Sequence, residues 1–380
     1  MNRHRSVRPL LRKLHLVLGL TVGLWVAMTA LTGSVLVFGD GIDRTLNRRL
    51  LSVEPQAGAV AMDTAVARVR ATFTDRRLAA VQLPQAPYEP LVFRVGDTPT
   101  TDVYVNPYSG EILGSRAQYG GAIGFLWDLH VHLLAGEAGE TVAGLLALAF
   151  LVMLVTGILL WWPGRARLQE AFAIRWGRGG SRRMFDLHRV AGAIAAPWLL
   201  IAALTGSLLV FYSLATPLLV ASLGGPARAP LPTVAAPPDA SALPLSVLLA
   251  HAEQALPDAR ATRVTFPTMD SAVMVIRRRH DANSHPNGRS FVAVNAYTGE
   301  ILQVHNWRRA GLGLRVADYE YPLHIGAAFG LPGRILALIA GLVPAVLLFT
   351  GSWLWWRKRK LRQLQRIRSR APGVHGCDEL

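Results

Sequence analysis

Long apolar runs dominate the hydrophobic pattern of this chain. Four stretches contain almost no charged side chain over about 20 residues or more, which is the length that an α-helix needs to cross a bilayer. These stretches cover roughly residues 14–38, 141–162, 186–212 and 335–356. The pattern therefore predicts an α-helical integral membrane protein with four transmembrane helices.

The two long segments between these runs follow a different pattern. Residues 61–73 have the spacing of an amphipathic helix, and apolar and polar residues then alternate as in strands up to residue 113. Residues 243–302 repeat this order of one helix followed by strands. Each segment is therefore expected to form a small α+β domain.

The first half of the sequence recurs in the second half. LHLVLGL and ALTGSVLVF, within 14–38, return as LHRVAGA and ALTGSLLVF within 187–211. VNPYSGEIL at 105–113 returns as VNAYTGEIL at 294–302, and TGILLWW returns as TGSWLWW. Both copies of this helix, domain, helix unit start on the same side of the membrane, so we expect parallel repeats about a pseudo-two-fold axis along the membrane normal.

The segment boundaries follow from these runs and repeats. A Pro- and Ala-rich linker without a plausible core joins the third span to the second outer domain. In chain order the predicted segments are a cytoplasmic start with the first span (1–44), a first outer domain (45–124), an interfacial helix with the second span (125–164), a cytoplasmic loop (165–185), the third span (186–214), the linker (215–242), a second outer domain (243–318), an interfacial helix with the fourth span (319–357) and a basic cytoplasmic tail (358–380).

Composition and charge support a membrane location. Of the 380 residues 51% are hydrophobic and only 17% are charged, and the formal net charge is +16. The basic residues cluster before the first run, between the second and third, and after the fourth. By the positive-inside rule these segments and both termini lie in the cytoplasm, and the two α+β domains lie outside. The surplus of positive charge thus has a membrane explanation, and no nucleic-acid partner is expected.

The chain has one cysteine, Cys377, in its basic tail. A single cysteine allows no intramolecular disulfide and no C-x-x-C-H haem attachment motif. Any haem must therefore be held non-covalently.

Four of the 11 histidines are duplicated, His15 with His188 and His130 with His324. The first pair enters the membrane from the cytoplasmic side, and the second lies just beyond the outer ends of the second and fourth spans. A polar side chain at membrane depth is costly unless it is paired or functional. A pseudo-two-fold axis brings equivalent positions face to face, and two opposed imidazoles are the axial ligand set of a six-coordinate haem. The four histidines are thus predicted to be axial ligands of haem iron, in two pairs at two depths.

Alternatives remain for these histidines. Each one can instead be an interfacial residue that hydrogen-bonds a neighbour. His132 is a rival for the role of His130, but its counterpart in the second repeat is Gly326, which breaks the duplication. The sequence also leaves open whether His15 shares an iron with His188.

Each span contains one Thr-Gly pair. In the first and third spans it lies five helical turns from the histidine, toward the outer end, and in the second and fourth it lies toward the inner end. Each depth thus has two histidines from one pair of helices and two Thr-Gly pairs from the other, as expected for two stacked haem sites. Small residues permit close approach of a flat macrocycle, although helix packing is their commoner use. The glycines predicted to pack against haem are Gly33, Gly206, Gly157 and Gly351.

These repeated motifs resemble the PepSY-associated transmembrane family. The resemblance rests on the LHxxxG opening helix, the V-N-x-Y-[ST]-G-E-I-L strand and turn, the LH before the second span and the T-G-x-x-x-W-W ending. It covers nearly the whole chain and is closest to the ferrisiderophore-reductase branch. That branch implies a bacterial inner-membrane protein with PepSY-like periplasmic domains and two haems b, held by histidines that match His15, His188, His130 and His324.

The implied activity is transmembrane electron transfer that reduces a ferric siderophore on the periplasmic side. Reduction to the ferrous ion weakens the grip of hard oxygen ligands and releases the iron. No G-x-G-x-x-G motif follows a strand, so a membrane quinol or a partner dehydrogenase is expected to supply electrons. The sequence assigns no catalytic residue.

Two other functions compete with this hypothesis. One is a non-catalytic PepSY binding module or peptidase regulator. The other is a transporter for siderophore or peptide, suggested by the repeat and by Pro197 and Pro344 inside spans, but weakened by the lack of Asp or Glu within the spans. In the outer domains His285, His305 and several arginines, Arg309 among them, can contact substrate or simply be solvated.

Overall fold

The structure, a computed structural model, describes residues 7–97, 100–177, 179–237 and 240–370. Residues 368–370 are described by their backbone only. Cys377 and the rest of the predicted tail beyond residue 370 lie outside the described residues. The α-helices are α1 Arg8–Thr21, α2 Gly23–Leu36, α3 Gly39–Leu46, α4 Arg48–Leu51, α5 Met62–Thr72, α6 Gly121–His132, α7 Gly136–Trp161, α8 Leu168–Ala171, α9 Gly180–Val210, α10 Tyr212–Leu223, α11 Leu245–Ala255, α12 Leu312–Asp318, α13 Glu320–His324 and α14 Gly330–Arg370.

Strands occur only between α5 and α6 and between α11 and α12 in the described ranges. They are β1 Leu78–Gln82, β2 Leu91–Val95, β3 Thr101–Val105, β4 Ile112–Ala117, β5 Arg260–Thr265, β6 Val273–Arg279, β7 Ser290–Asn295 and β8 Ile301–His305.

The chain divides into two compact units. The helical unit comprises Met1–Ser34, Leu145–Leu204 and Leu338–Leu380, and the sheet unit comprises Val35–Gly144 and Thr205–Ala337. Each unit contains one of the predicted histidine pairs.

Three helices, α7, α9 and α14, are long and apolar enough to span a membrane. The helices α1 and α2 pass the same test together but meet at an angle of 61°. The described residues thus contain three candidate spans, or four when the bent pair is counted as one. Because α14 has 41 residues and a bilayer core needs about 20, its basic end extends well past a spanning length.

The break in the first span lies at Val22, between two short helices. Thr21 Oγ1 donates to the carbonyl oxygen of Val17, 2.8 Å away, and such back-bonding often bends helices. Gly23 begins α2 and adds no side chain to stiffen the junction. The sequence analysis counted five turns of one straight helix from His15 to the Thr-Gly pair that contains Gly33, but the first span is bent between them. In the third span α9 runs unbroken from His188 past Gly206.

The core of the helical unit is small and apolar. Its buried members come from α2, α7 and α9, and they are Val26, Phe150, Leu154, Ala195, Leu199 and Ala203. Many large apolar side chains of the same helices point outward and are exposed, Leu145, Val152, Val155, Leu159 and Ile194 among them. An apolar exterior around hydrogen-bonded helices is the arrangement that lipid requires.

All eight strands of the sheet unit form one antiparallel sheet, in the order β4-β3-β2-β1-β5-β6-β7-β8. The two predicted outer domains therefore share a sheet, because β1 pairs with β5 and Val81 lies opposite Val264. Helices α5 and α11 supply buried side chains such as Val69 and Leu248 to a single core with the strands. The predicted helix and strands are present in each half, but the halves are joined.

The two repeated turns have the predicted conformation. Gly110 and Gly299 have φ of +69° and +76°, as the sequence indicated. In each turn the side chain of an asparagine, Asn106 or Asn295, accepts hydrogen bonds from the backbone amides that follow it. The two turns thus share both the glycine conformation and the side-chain hydrogen bonds.

The predicted linker begins later than expected, since residues 212–223 form helix α10. A Cβ added to Gly313 of α12 would lie 2.5 Å from Cα of Val220 in α10, so the two helices pack backbone to backbone. This close packing favours a helix at the start of the segment where the sequence indicated a linker without a core.

Candidate functional site

The helical unit brings together His15 of α1 and His188 of α9. Their ring centroids lie 6.3 Å apart and the ring planes are perpendicular, at 90°. Both side chains are half-buried. The repeat led us to expect these two positions to face each other, and whether the two rings share an iron stays a prediction.

Hydrogen bonds fix the Nδ1 atom of both rings. His15 Nδ1 lies 3.0 Å from the carbonyl oxygen of Met153 and 3.2 Å from Thr156 Oγ1. The Thr156 hydroxyl donates to the same carbonyl, so it accepts from the imidazole. His188 Nδ1 lies 2.9 Å from Thr350 Oγ1, whose hydroxyl donates to backbone carbonyls of its own helix. Nδ1 therefore carries the proton in both rings, which leaves Nε2 with a free lone pair.

A glycine after each of these threonines makes room for the ring. A Cβ at Gly157 would lie 3.1 Å from Cε1 of His15, and one at Gly351 would lie 3.2 Å from Cε1 of His188. Each Thr-Gly pair thus forms an imidazole socket, in which the hydroxyl accepts Nδ1–H and the glycine lets the ring approach the helix. The sequence assigned these glycines to haem packing, and the structure places them against the histidine rings.

The sheet unit brings together His130 of α6 and His324 of α13. Their ring centroids lie 6.1 Å apart, with the planes tilted by 56°. His324 Nδ1 lies 3.1 Å from Thr205 Oγ1, and a Cβ at Gly206 would lie 3.1 Å from Cε1 of His324. The Thr205-Gly206 pair therefore contacts the His324 ring with the same two atoms, and we call it an imidazole socket as well.

The fourth predicted glycine, Gly33, lies in α2 directly after the buried Thr32. Its assignment to haem packing stays a prediction.

Both pairs have the spacing of imidazoles that share one metal ion. Two imidazoles with a metal at about 2.0 Å from each ligating nitrogen place their ring centroids roughly 6 Å apart. Within the described ranges, no cluster of three or more His, Cys, Asp or Glu is arranged to hold a metal. Haem iron needs only two protein ligands, because the macrocycle supplies the other four. The residues present therefore fit haem better than a zinc site of three or four side chains.

His132, the rival of His130, makes other contacts. Its Nδ1 lies 2.7 Å from Asp128 Oδ1, one helical turn away. Its ring packs edge-on against Tyr119 and Trp127, at centroid distances of 5.5 and 5.2 Å. The histidine that faces His324 is His130.

Asp186, two residues before His188, was missed by the sequence analysis. Its side chain is fully buried, and it pairs with Arg182 at 3.2 Å and with Arg189 at 3.3 Å. It also accepts a bond from the backbone amide of Arg175, which ties the preceding loop to α9. The third span thus contains an acidic residue, contrary to the sequence analysis, but two arginines form ion pairs with this carboxylate. The D-x-H spacing was the available signal.

Two buried acids precede His324 and were also missed. Asp318 and Glu320 are nearly inaccessible, and Arg289 lies 3.5 Å from the first and 3.7 Å from the second. Burial raises the pKa of Glu320 to about 7, although Arg289 opposes the rise. Glu320 lies one helical turn before His324, on α13. No repeat indicated these acids, because Leu126 stands at the position that corresponds to Glu320.

Comparison with known proteins agrees with this arrangement of helices and motifs. A family model described as "PepSY-associated TM region" matches residues 12–358, which include all four paired histidines. A protein of Pseudomonas aeruginosa (strain PAO1), named "Uncharacterized protein PA4219", is 27% identical to this chain over 272 residues. The similarity covers 65% of this chain and 68% of that protein.

Proposed function

We propose that this chain, which belongs to the PepSY-associated transmembrane family, is a haem-dependent ferric reductase of the bacterial inner membrane. Two haems b with bis-histidine ligation would carry electrons across the bilayer to a ferric siderophore in the periplasm. In this proposal both termini lie in the cytoplasm, four helices span the membrane, and the sheet unit faces the periplasm.

The observation that supports the proposal best is the geometry of the two histidine pairs. Centroid separations of 6.3 and 6.1 Å suit one iron between each pair of rings. A threonine hydroxyl lies within hydrogen-bond distance of Nδ1 of His15, of His188 and of His324. For His15 and His188 the hydroxyl accepts Nδ1–H, which directs Nε2 of these two rings to the ligand role.

Haem with two histidine ligands has no open coordination position, so it supplies one-electron storage and transfer when bound. The residues of this chain position and tune it. The imidazole sockets hold the rings in one orientation, and an accepted Nδ1–H bond makes each ring a more basic ligand. The apolar helices around the first pair keep water from the site.

The substrate and donor follow from chemistry outside the two pairs. A siderophore holds Fe³⁺ with hard oxygen ligands, and the larger, less acidic Fe²⁺ is held less strongly. The electron donor in this proposal is a membrane quinol or a partner dehydrogenase, because the sequence has no nucleotide-binding motif. The proposed partners are thus a ferric siderophore, the donor and the lipid bilayer.

The proposal is tested by mixing the reduced protein with ferric chelates. Purified protein is reduced anaerobically with a stoichiometric amount of dithionite and mixed with ferric citrate or ferrioxamine B. The haem spectrum reports reoxidation, and ferrozine captures Fe²⁺. We expect reoxidation with stoichiometric Fe²⁺ in the wild type and in His251→Ala, a half-buried histidine outside both pairs. Reoxidation that yields no Fe²⁺ with either chelate would contradict the reductase function.

A further inference from the structure

The sheet unit contains a pocket that the proposed function has not used. Its cavity volume is about 590 Å³, within the range usual for small-molecule sites. It lies among the 226–229 segment, the end of α11, strand β8 and α12. Its apolar lining includes Leu256 and Leu314, and its polar lining includes Arg228, Gln303, His305, Asn306 and Arg309.

Several polar atoms of this lining are buried but not hydrogen-bonded. They are His305 Nε2, Gln303 Oε1 and Arg228 Nε, none of which has a partner in the part of the chain that the structure describes. A buried polar atom without a partner costs stability, so natural proteins keep few of them. Three around one cavity indicate that something else supplies their partners.

The charges of the lining favour an anion. The cations of the lining are Arg228 and Arg309. Arg228 Nη2 is paired with the buried Asp318 at 3.1 Å, so of its guanidinium only Nε is buried without a partner among the described residues. The acid of the lining, Asp258, is largely exposed and lies 3.5 Å from Arg308. Burial, together with the neighbouring Arg228, lowers the pKa of His305 to about 4, so its ring is neutral at physiological pH. Of the two alternatives that the sequence left open for this histidine, burial favours contact with a ligand over simple solvation.

The first half of the sheet unit has an ion pair at the corresponding positions. Arg116 corresponds to His305 in the repeat, and Asp43 corresponds to Thr216. Arg116 binds Asp43 with two hydrogen bonds of 3.0 and 2.5 Å. In the second half, Thr216 Oγ1 and His305 Nε2 are both buried without a hydrogen-bond partner among the described residues. The second half thus has no ion pair at these positions, and one of the two residues there, His305, lines the pocket.

We propose that this pocket binds an anionic, carboxylate-rich chelate of Fe³⁺, with Arg228, Arg309 and His305 contacting its carboxylates. The inference rests on the proposed function and names its substrate class. Guanidinium groups bind carboxylates through paired hydrogen bonds, which suits them to this ligand better than to a cationic hydroxamate chelate.

Gallium(III) separates binding from reduction, because it replaces Fe³⁺ in chelates but accepts no electron here. The full-length protein is dialysed to equilibrium against gallium(III) citrate, citrate alone, or gallium(III) desferrioxamine B, and bound gallium and citrate are measured. We expect gallium(III) citrate to bind more tightly than the other two. Arg309→Glu and His305→Leu should weaken its binding by about tenfold or more, the usual effect of losing a charged or buried hydrogen bond.

The matched control is Arg308→Glu, which makes the same charge change at the adjacent residue, outside the lining. It should change binding by less than about twofold, since its side chain lies outside the lining. Haem content and thermal stability of each variant report on folding.

Three results would overturn the inference: unchanged binding in Arg309→Glu, equal loss in Arg308→Glu, or equally tight binding of the desferrioxamine complex. If citrate alone bound as tightly as gallium(III) citrate, the claim that the ligand is a metal chelate would also be overturned. Gallium binding needs no electron transfer, so a protein that binds gallium(III) citrate but fails to reduce iron would contradict only the proposed function.

Discussion

The two histidine pairs have similar geometry but different surroundings. His15 and His188 lie on long apolar helices, in a unit whose nearby buried acid, Asp186, is matched by two arginines. His324 lies on a five-residue helix that begins with Glu320, whose pKa is raised to about 7. Charge, burial and hydrogen bonding set the potential of a haem. The difference teaches that a repeat can preserve the geometry of a histidine pair while the surroundings of each pair acquire their own electrostatics.

The largest loss of haem is expected when one histidine of a pair is replaced, and a variant in each pair tests whether the two pairs are separate sites. His188→Ala and His324→Ala should each lose about half of the bound haem, because a haem b lacks covalent attachment and depends on both axial ligands. Pyridine haemochrome assays measure the loss, with His251→Ala as the control that keeps both haems. Two variants that lose the same spectral component would contradict the separation into two pairs.

A smaller but still large effect should come from filling an imidazole socket. Gly351→Leu and Gly206→Leu put a side chain where a Cβ alone would be 3.2 or 3.1 Å from a histidine ring. Each should displace the ring and lose the haem of its own pair only, as measured by haem content. The corresponding alanine variants should lose much less.

Gly41 provides the control for these substitutions. A Cβ at this helical glycine meets nothing within 4 Å, so Gly41→Leu should keep full haem content. If Gly41→Leu lost as much haem as Gly351→Leu, the effect would reflect general instability instead of the socket.

Removing a socket hydroxyl should have a moderate effect. Thr350→Val and Thr205→Val keep the shape of the side chain but remove the hydroxyl that bonds Nδ1 of the histidine. Loss of such an outer-shell partner costs about 10- to 100-fold in metal affinity, so haem should dissociate faster to an apomyoglobin acceptor. Thr45→Val, whose exposed hydroxyl only bonds its own helix, should match the wild type. Equal dissociation rates in all four proteins would refute the role of the sockets.

The smallest effect concerns the acid that distinguishes the second pair. Since the pKa of Glu320 is raised from 4.5 to about 7, its protonated form stabilises the fold fully below pH 4.5, and this contribution is lost as pH rises through 7. Glu320→Gln, which also leaves Arg289 and Asp318 in place, should raise Tm above the wild type at pH 8 but not at pH 5. Glu300→Gln, at an exposed position, serves as the control. A lower Tm for Glu320→Gln at pH 8 would mean that the ion pair with Arg289 outweighs burial.

Local signals in the sequence predicted much of the fold. Apolar runs located the membrane helices, the asparagine and glycine of each repeated turn predicted its conformation, and the repeat paired His15 with His188. Each of these features depends on a short stretch of chain or on comparison of two stretches. They need no knowledge of distant contacts.

Features that depend on distant contacts were not predicted. The pairing of β1 with β5 joins Val81 to Val264, far apart in sequence, and merges two expected domains. The burial of Glu320 depends on its packing environment in the sheet unit, and it has no counterpart in the repeat. The sockets were visible only as Thr-Gly pairs, since the ring that occupies each one comes from another helix.

The haem content of the wild-type protein tests the central claim most directly. Membranes are solubilised in mild detergent, the protein is purified, and haem b and protein are quantified on the same sample, with EPR of the oxidised form. The account predicts about two haems b per chain, both low-spin and six-coordinate, as two histidine ligands require. A colourless protein after expression with sufficient haem, or a haem with an open coordination position, would contradict it.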